Sequence, residues 1–431
     1  MNRSHQKIVV FWFRRDLRLD DNVGLNKALG HGLPVLPLFL FDDQIISELP
    51  EDDARITFLY DRLKNMNQQL KMHDSSLLCL KGKPEELWTK LLQERNIAAV
   101  YCNEDYEPYA RERDDKVKKI LEQQGATFHQ FKDQVVFAKE EVLKDDGKPY
   151  TVYTPYMKKW RTAFQNHPPI ATALPKTPIF LSVDYQLPSL ESIGFKRSPI
   201  HAEAYRLNKL ENYRERRDFP ALDQTSKLSV HLRFGTVSIR KVVQQVQNNE
   251  SFLNELIWRE FFMQILYHFP KVVAHNFHAK YDGIQWRNKN DEFERWKKGM
   301  TGYPLVDAGM RELNATGNMH NRVRMVTAGF LVKHLLIDWR WGEAYFALKL
   351  LDYDLAANNG NWQWSAGTGC DAAPYFRVFN PLSQLDKFDK DRAYVKKWIP
   401  ELDTAAYPKP MVDHKTARLR AIKTYNEALG K

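Results

Sequence analysis

The sequence predicts two unlike parts. The first is an N-terminal α/β domain built on a five-stranded, doubly wound parallel sheet. The second is a larger all-α domain, reached through a long connector. Three observations predict this. Up to residue 131, five short apolar runs alternate with amphipathic helical stretches, the pattern of strand–helix–strand units. A Pro-rich stretch of little periodicity, HPPIATALPKTPIF, follows. From Glu203 onward strand patterns vanish and helical ones run to the end. The expected division is therefore 1–132, 133–202 and 203–431.

Ile8–Phe13 is an unbroken apolar run, as in a strand buried on both faces. Asp21-Asn22 supplies a cap for a short helix to Leu29. Val35–Phe41 is the second strand, Ala54–His73 a long amphipathic helix and Ser76–Leu80 the third strand. Pro84 suits the first turn of a helix reaching about Arg95. Ala98–Cys102 is the fourth strand, and a charged helix from about Tyr109 to Gln124 is stopped by Gly125. Thr127–Phe131 closes the series, and a short helix, Thr154–Gln165, lies within the connector. The turn after the first strand, Arg14-Arg15-Asp16-Leu17-Arg18, has neither G-x-G-x-x-G nor a P-loop, so no standard dinucleotide site is expected there. Its arginines are free to hold an anionic edge or to play a structural part.

Composition narrows the function. The net charge of +10 is uneven: residues 1–130 carry 19 basic against 21 acidic side chains, a net of −2, so the remainder carries +12. A basic excess confined to the helical part favours a polyanion, with nucleic acid the usual one, over a merely basic soluble protein. Eleven tryptophans are expensive filler for a plain core. Three cysteines without CxxC argue against a disulfide framework or structural zinc and for a reducing interior. The first apolar run is too short for a signal peptide and no stretch reaches membrane-spanning length, so a cytoplasmic protein is expected. His320 and His334 lack a partner at metal-ligand spacing, there is no HExxH and no G-x-S-x-G, and no metal is expected.

The stretch Asn318–Trp364 has the character of a lined pocket for a flat, polar-edged ligand. Asn321, Arg324 and Met325 share a helical face, and acids, amides and tryptophans crowd together at Asp352, Asp354, Asn358, Trp362 and Trp364. Two further groups stand out. Tyr213 precedes Thr225-Ser226-Lys227-Leu228-Ser229, whose hydroxyls suit either a phosphate or an ordinary helix cap. Glu255, Trp258, Arg259 and Phe262 share a second face, where Glu255 is either a poorly solvated functional carboxyl or one half of an i, i+4 pair with Arg259.

FWFRRDLRLDDN, TSKLS, NELIWREF, TGYPLVDAGMREL, MHNRVRM, LLIDWR and DLAANNGNWQW occur in that order. Together they resemble the photolyase/cryptochrome family over essentially the whole chain, most nearly the class I cyclobutane pyrimidine dimer photolyases. The resemblance implies an FAD inside the helical domain, UV-damaged DNA as substrate, and repair by electron transfer from photoexcited reduced FAD to a flipped-out lesion. It places Tyr213, Thr225 to Ser229, Phe252, Arg259, Arg324, Asp352, Asp354 and Asn358 around the cofactor, with Arg324 and Asp352 as an ion pair and Asn358 beside flavin N5. It gives Glu255 and Asn321 to the lesion's base edges, and Trp258, Trp364 and Met325 to its apolar faces. Trp286, Trp339 and Trp362 match the family's electron relay, against the plainer reading of three buried tryptophans. Arg217, Arg322, Arg377, Gln384 and Lys387 become contacts to DNA. Phe252 stands where many relatives have Trp. Members with a methenyltetrahydrofolate antenna carry an Asn-Glu pair that aligns with Tyr109-Ala110; its absence leaves the antenna to a deazaflavin, a flavin or nothing. The alternative within the family is a cryptochrome-type signalling flavoprotein, and outside it a DNA-binding flavoprotein without photochemistry. A monomer is the default expectation.

Overall fold

A computed structural model describes residues 6–431; Met1–His5, at the head of the stretch weighed as a signal peptide, lie outside it. Among the described residues, the first of two compact units comprises 6–142, 159–203 and 228–248. Its sheet contains β1 (Lys7–Phe13), β2 (Val35–Asp42), β3 (Leu78–Gly82), β4 (Asn96–Asn103) and β5 (Thr127–Phe131). The strands are all parallel in the order β3-β2-β1-β4-β5. The apolar run of β1 follows from what lies on each side. Val9, Phe11 and Phe13 enter one core with Leu25 and Leu63, while Ile8, Val10 and Trp12 enter the other with Trp88 and Val117. Alternate side chains face opposite ways, so two helical layers demand two apolar sets from one strand.

The helices begin where their caps predict. Asn22 accepts from Leu25 N at 3.1 Å, and Asp53 caps Ala54–Lys71. The third strand starts two residues later than Ser76 because Ser75 and Ser76 bond elsewhere. Their hydroxyls donate to the carbonyls of Leu181 and Val183, and Ser76 Oγ accepts from Tyr185 N. The arginines after β1 hold the protein's own carboxylates: Arg14 meets Asp114 at 2.5 Å, and Arg15 meets Glu107 at 2.9 Å. Their role is structural.

The three contiguous segments expected from the sequence do not coincide with the units, because residues 228–248 pack with the sheet. The buried Arg240 explains this. It donates to Asp133 Oδ1 at 2.8 Å and to the Asp21 carboxylate at 3.1 Å, and Ser238 donates to the same Asp21. Asp133 is also held by Arg18 at 2.7 Å. Two carboxylates this deep need both guanidiniums.

The second unit, residues 143–158, 204–227 and 249–431, contains helices and no strand among its described residues. Its core gathers Trp296, Leu305, Val323, Phe330, Trp339 and Trp362. No helix among the described residues is long and apolar enough to cross a membrane.

His334 sits in that core, stacked on Phe330 at 4.8 Å, with Nε2 2.9 Å from His414 Nδ1. Burial, and then His414 and Arg420, push its pKa down to about 3. A depressed histidine pKa stabilises the fold above the unfolded value near 6.5 and loses that contribution as pH falls toward 3. Unfolding in urea should therefore become easier by about 2 kcal/mol at pH 5 relative to pH 7 from this group alone. His334→Gln should remove that share of the pH dependence; an unchanged slope would contradict the assignment.

Candidate functional site

The site residues of the second unit are placed by three helices that meet closely. Glu250–His268 carries Phe252, Glu255, Trp258, Arg259 and Phe262; Trp339–Lys349 carries Glu343; Leu355–Ala366 carries Asn358, Trp362 and Trp364. The contacts are set by two glycines. A Cβ on Gly360 would lie 2.2 Å from the Phe262 ring, and one on Gly342 would lie 2.1 Å from Trp362.

Arg324 and Asp352 form the expected ion pair, Nη2 to Oδ2 at 2.9 Å, and Arg324 Nε also donates to Met319 O at 2.7 Å. The second Asp352 oxygen is buried and has no hydrogen-bond partner. A buried acceptor in that state is costly unless a donor arrives. Asn358 donates its amide to Glu343 Oε1 at 2.8 Å, and burial holds the Glu343 carboxyl above its ordinary range. Asp354 caps its helix by accepting from Ala357 N.

The helix Asn321–Gly329 is capped by His320, whose Nδ1 accepts from Arg322 N at 3.2 Å. Burial lowers the His320 pKa to about 4, so the imidazole stays neutral as the cap requires. Asn321 is exposed at the helix start, with its amide 4.0 Å from Met325 Sδ. Lys227 and Arg324 both act electrostatically on Glu312 and on His320, which brings the TSKLS segment to this side of the unit. Ser226 is buried and its carbonyl accepts from Arg206 N. Thr225 is half-buried. Leu228 and Ser229 group with the first unit.

Glu255 pairs with Arg217, not with Arg259. Burial raises the Glu255 carboxyl, and Arg217 opposes that rise. Arg217 also lies over Tyr213, whose ring meets Phe252 edge-on at 5.1 Å. Arg259 is half-buried on the same helix. Trp258 stacks face to face on Tyr153, centroids 3.7 Å apart and planes within 6°. Tyr153 is further tied by its hydroxyl to Asn254 O at 3.0 Å. Nothing in the aperiodic connector marked Tyr153, and Glu343 was likewise missed because only its placement gives it a role.

The three tryptophans matched to a relay by resemblance share one apolar cluster: Trp339 and Trp362 are buried in it, and Trp286 packs against it half-buried. Trp362 meets Phe346 at 4.9 Å and Trp296 at 6.3 Å. Of the basic residues, Arg322 bonds Asp218 at 2.9 Å and lies 4.2 Å over Phe388, where Lys387 also approaches. Arg377 and Lys387 are exposed, and Gln384 is half-buried near the same helix.

Two family models match the chain. One, described as DNA photolyase, covers residues 9–177, and one, described as the FAD binding domain of DNA photolyase, covers residues 252–406. A deoxyribodipyrimidine photo-lyase from Synechococcus sp. is 36% identical, over 97% of this chain and 96% of that protein. The chain belongs to the DNA photolyase family. Among solved structures, a class III photolyase from Agrobacterium tumefaciens is 34% identical with a TM-score of 0.89, covering 100% of this chain and 99% of its own. An archaeal photolyase from Sulfolobus tokodaii, solved with two FAD molecules, is 34% identical with a TM-score of 0.84, covering 98% and 100%. The photolyase cofactor fits the residues present: an N–H at the edge of a flat ring would satisfy the unpartnered Asp352 oxygen, while the other oxygen stays paired with Arg324.

Because the Gly342 contact sets how closely the helices approach, Gly342→Ala should destabilise the protein by roughly 1–3 kcal/mol. Urea unfolding checks this; a neutral effect would show that Trp362 moves aside freely.

Proposed function

We propose that this chain repairs cyclobutane pyrimidine dimers in DNA in light, as a cytoplasmic monomer that holds reduced FAD. The observation that carries the reading is the half-buried Arg324–Asp352 pair with its buried, unsatisfied oxygen, in a chain related along its length to a deoxyribodipyrimidine photo-lyase. When bound, FAD would supply a light-driven one-electron donor that takes the electron back once the dimer's ring bonds have broken.

The chain's own residues divide the remaining work. Arg324, Asp352, Asp354, Asn358 and Arg259 hold the ring system. Tyr213, Phe252 and Thr225 to Lys227 hold the rest of the cofactor. Glu255 and Asn321 offer hydrogen bonds to the flipped-out bases, and preset donors in a poorly hydrated pocket favour the charge that develops there. Trp258, fixed by its stack on Tyr153, joins Trp364 and Met325 as the apolar wall. Arg217, Arg322, Arg377 and Lys387, with Gln384, contact the DNA backbone. Arg217 and Arg322 already hold carboxylates, so a phosphate must replace one anion with another there, whereas Arg377 and Lys387 gain a partner outright. Trp362, Trp339 and Trp286 carry electrons inward from the surface. For the antenna, a flavin or deazaflavin is favoured over a folate. Tyr109 is bonded to Asp42 at 2.6 Å and Ala110 is buried, so neither offers the amide and carboxylate of the folate site.

The test is to illuminate the reduced, FAD-loaded protein with DNA carrying thymine dimers. Restored thymine in light and none in the dark is expected. Light-driven flavin chemistry without restored thymine would favour a signalling flavoprotein instead. In the same assay Glu255→Gln should lose some repair yield and Glu255→Ala more; equal yields in all three proteins would remove Glu255 from the site. Replacing both Arg377 and Lys387 by Ala should weaken DNA binding and flatten the log-affinity against log-salt slope by about 1.8, close to two phosphate contacts. An unaltered slope would take both residues out of the interface.

A further inference from the structure

A tryptophan that has given up an electron is far more acidic at its indole N–H than before. What that N–H faces therefore decides whether the electron hole moves on or is trapped by loss of the proton. Trp339, the middle member of the trio, is buried, and its Nε1–H donates to Asn276 Oδ1 at 2.9 Å. The orientation of this amide is fixed by what lies behind it. Asn276 Nδ2 donates to Asp282 Oδ1 at 2.7 Å, and Asn276 backbone N–H donates to the same oxygen at 3.1 Å. A carboxylate only accepts, so the nitrogen must face Asp282 and the carbonyl oxygen must face Trp339. An amide oxygen accepts a hydrogen bond but is far too weak a base to keep a proton. Asn276 is only 3% exposed, which excludes bulk water as a substitute base. Arg340 adds positive charge 4.8 Å from the Trp339 ring centroid, partly offset by Asp338 at 3.1 Å. Trp286, by contrast, is half-buried.

We propose that Asn276, locked by Asp282, is a positioning residue that keeps the indole proton on Trp339, so that the hole crosses this residue as a cation radical. The proposal rests on the relay reading above. One electron leaves Trp339 to fill the hole on Trp362, and one electron from Trp286 then fills Trp339. No proton leaves Trp339 Nε1 in either step. At Trp286 the indole proton passes to solvent, and an external one-electron reductant such as a thiol, with a proton, restores the residue.

The test exchanges the two side chains, Asn276→Asp with Asp282→Asn. The swap conserves net charge and size but puts a carboxylate against the indole. Flash-induced absorption of the FAD-loaded protein in H2O and D2O reads the protonation state of the radical. In the wild type the radical stays protonated until it reaches Trp286, with no solvent isotope effect on that passage. In the swapped protein the cation signal should give way to a neutral radical held at Trp339, with a solvent isotope effect. A Trp339 indole N–H that remains protected from exchange in the dark, read by nitrogen-15 NMR, shows that the swapped protein keeps its fold and this hydrogen bond. The same protonated radical in both proteins, or a neutral radical at Trp339 in the wild type, overturns the proposal. A separate control distinguishes the relay itself: Trp362→Phe should abolish light-driven cofactor reduction, and undiminished reduction overturns the relay reading.

Discussion

The helix Leu355–Ala366 is held at two points where nothing larger than hydrogen fits. Gly360 lies against Phe262, and Trp362 lies against Gly342. These approaches fix the spacing between the helix and its two neighbours, and the site residues inherit it. Asn358 reaches Glu343 across the same gap that Trp362 fills. Close-packed interiors transmit a shift of a few tenths of an ångström to every neighbour, so a displaced helix would carry Asn358, Trp362 and Trp364 with it. The site depends on backbone distance first and on side-chain chemistry second.

Charge plays the corresponding part in the sheet unit. Asp21 and Asp133 are both buried against Arg240, with Arg18 on Asp133 as well, and removing the Arg240 guanidinium leaves the Asp21 carboxylate without compensation, at a cost on the order of 3–5 kcal/mol. That requirement draws residues 228–248 onto the sheet despite their place in the chain. The sequence hides the reason. Ile239, Val242, Val243 and Val246 make an ordinary apolar face, and an arginine beside them looks like surface. Its partners lie more than a hundred residues away.

The sheet was legible because each strand is an apolar run bounded by turn or cap residues, and a parallel strand buried on both faces can hardly look otherwise. Ser76 misled because its hydroxyl does the work that its backbone was expected to do. The ion pair of Arg324 and Asp352 was legible through the family's motifs and through the rule that a buried charge needs a partner. Helical spacing showed that Glu255 and Trp258 share a face but not what the face meets. Tyr153, Arg217 and Asn276 reach their partners from other segments, and periodicity carries no information about such meetings.

The Arg217–Glu255 pair joins the two halves of the proposed reaction. Glu255 is poorly solvated, and Arg217 is the cation that offsets the cost of its charge. A DNA phosphate that takes Arg217 weakens that offset, and the carboxyl then shifts further toward its protonated form. A protonated carboxyl can donate to a carbonyl at the edge of a flipped-out base, which an ionised one cannot do. Intact DNA, whose bases remain stacked, would compete for the same arginine without presenting a carbonyl to receive that bond. On the proposed reading a lesion would satisfy both members of the pair at once, and a contact that reads no sequence would become one that favours damage.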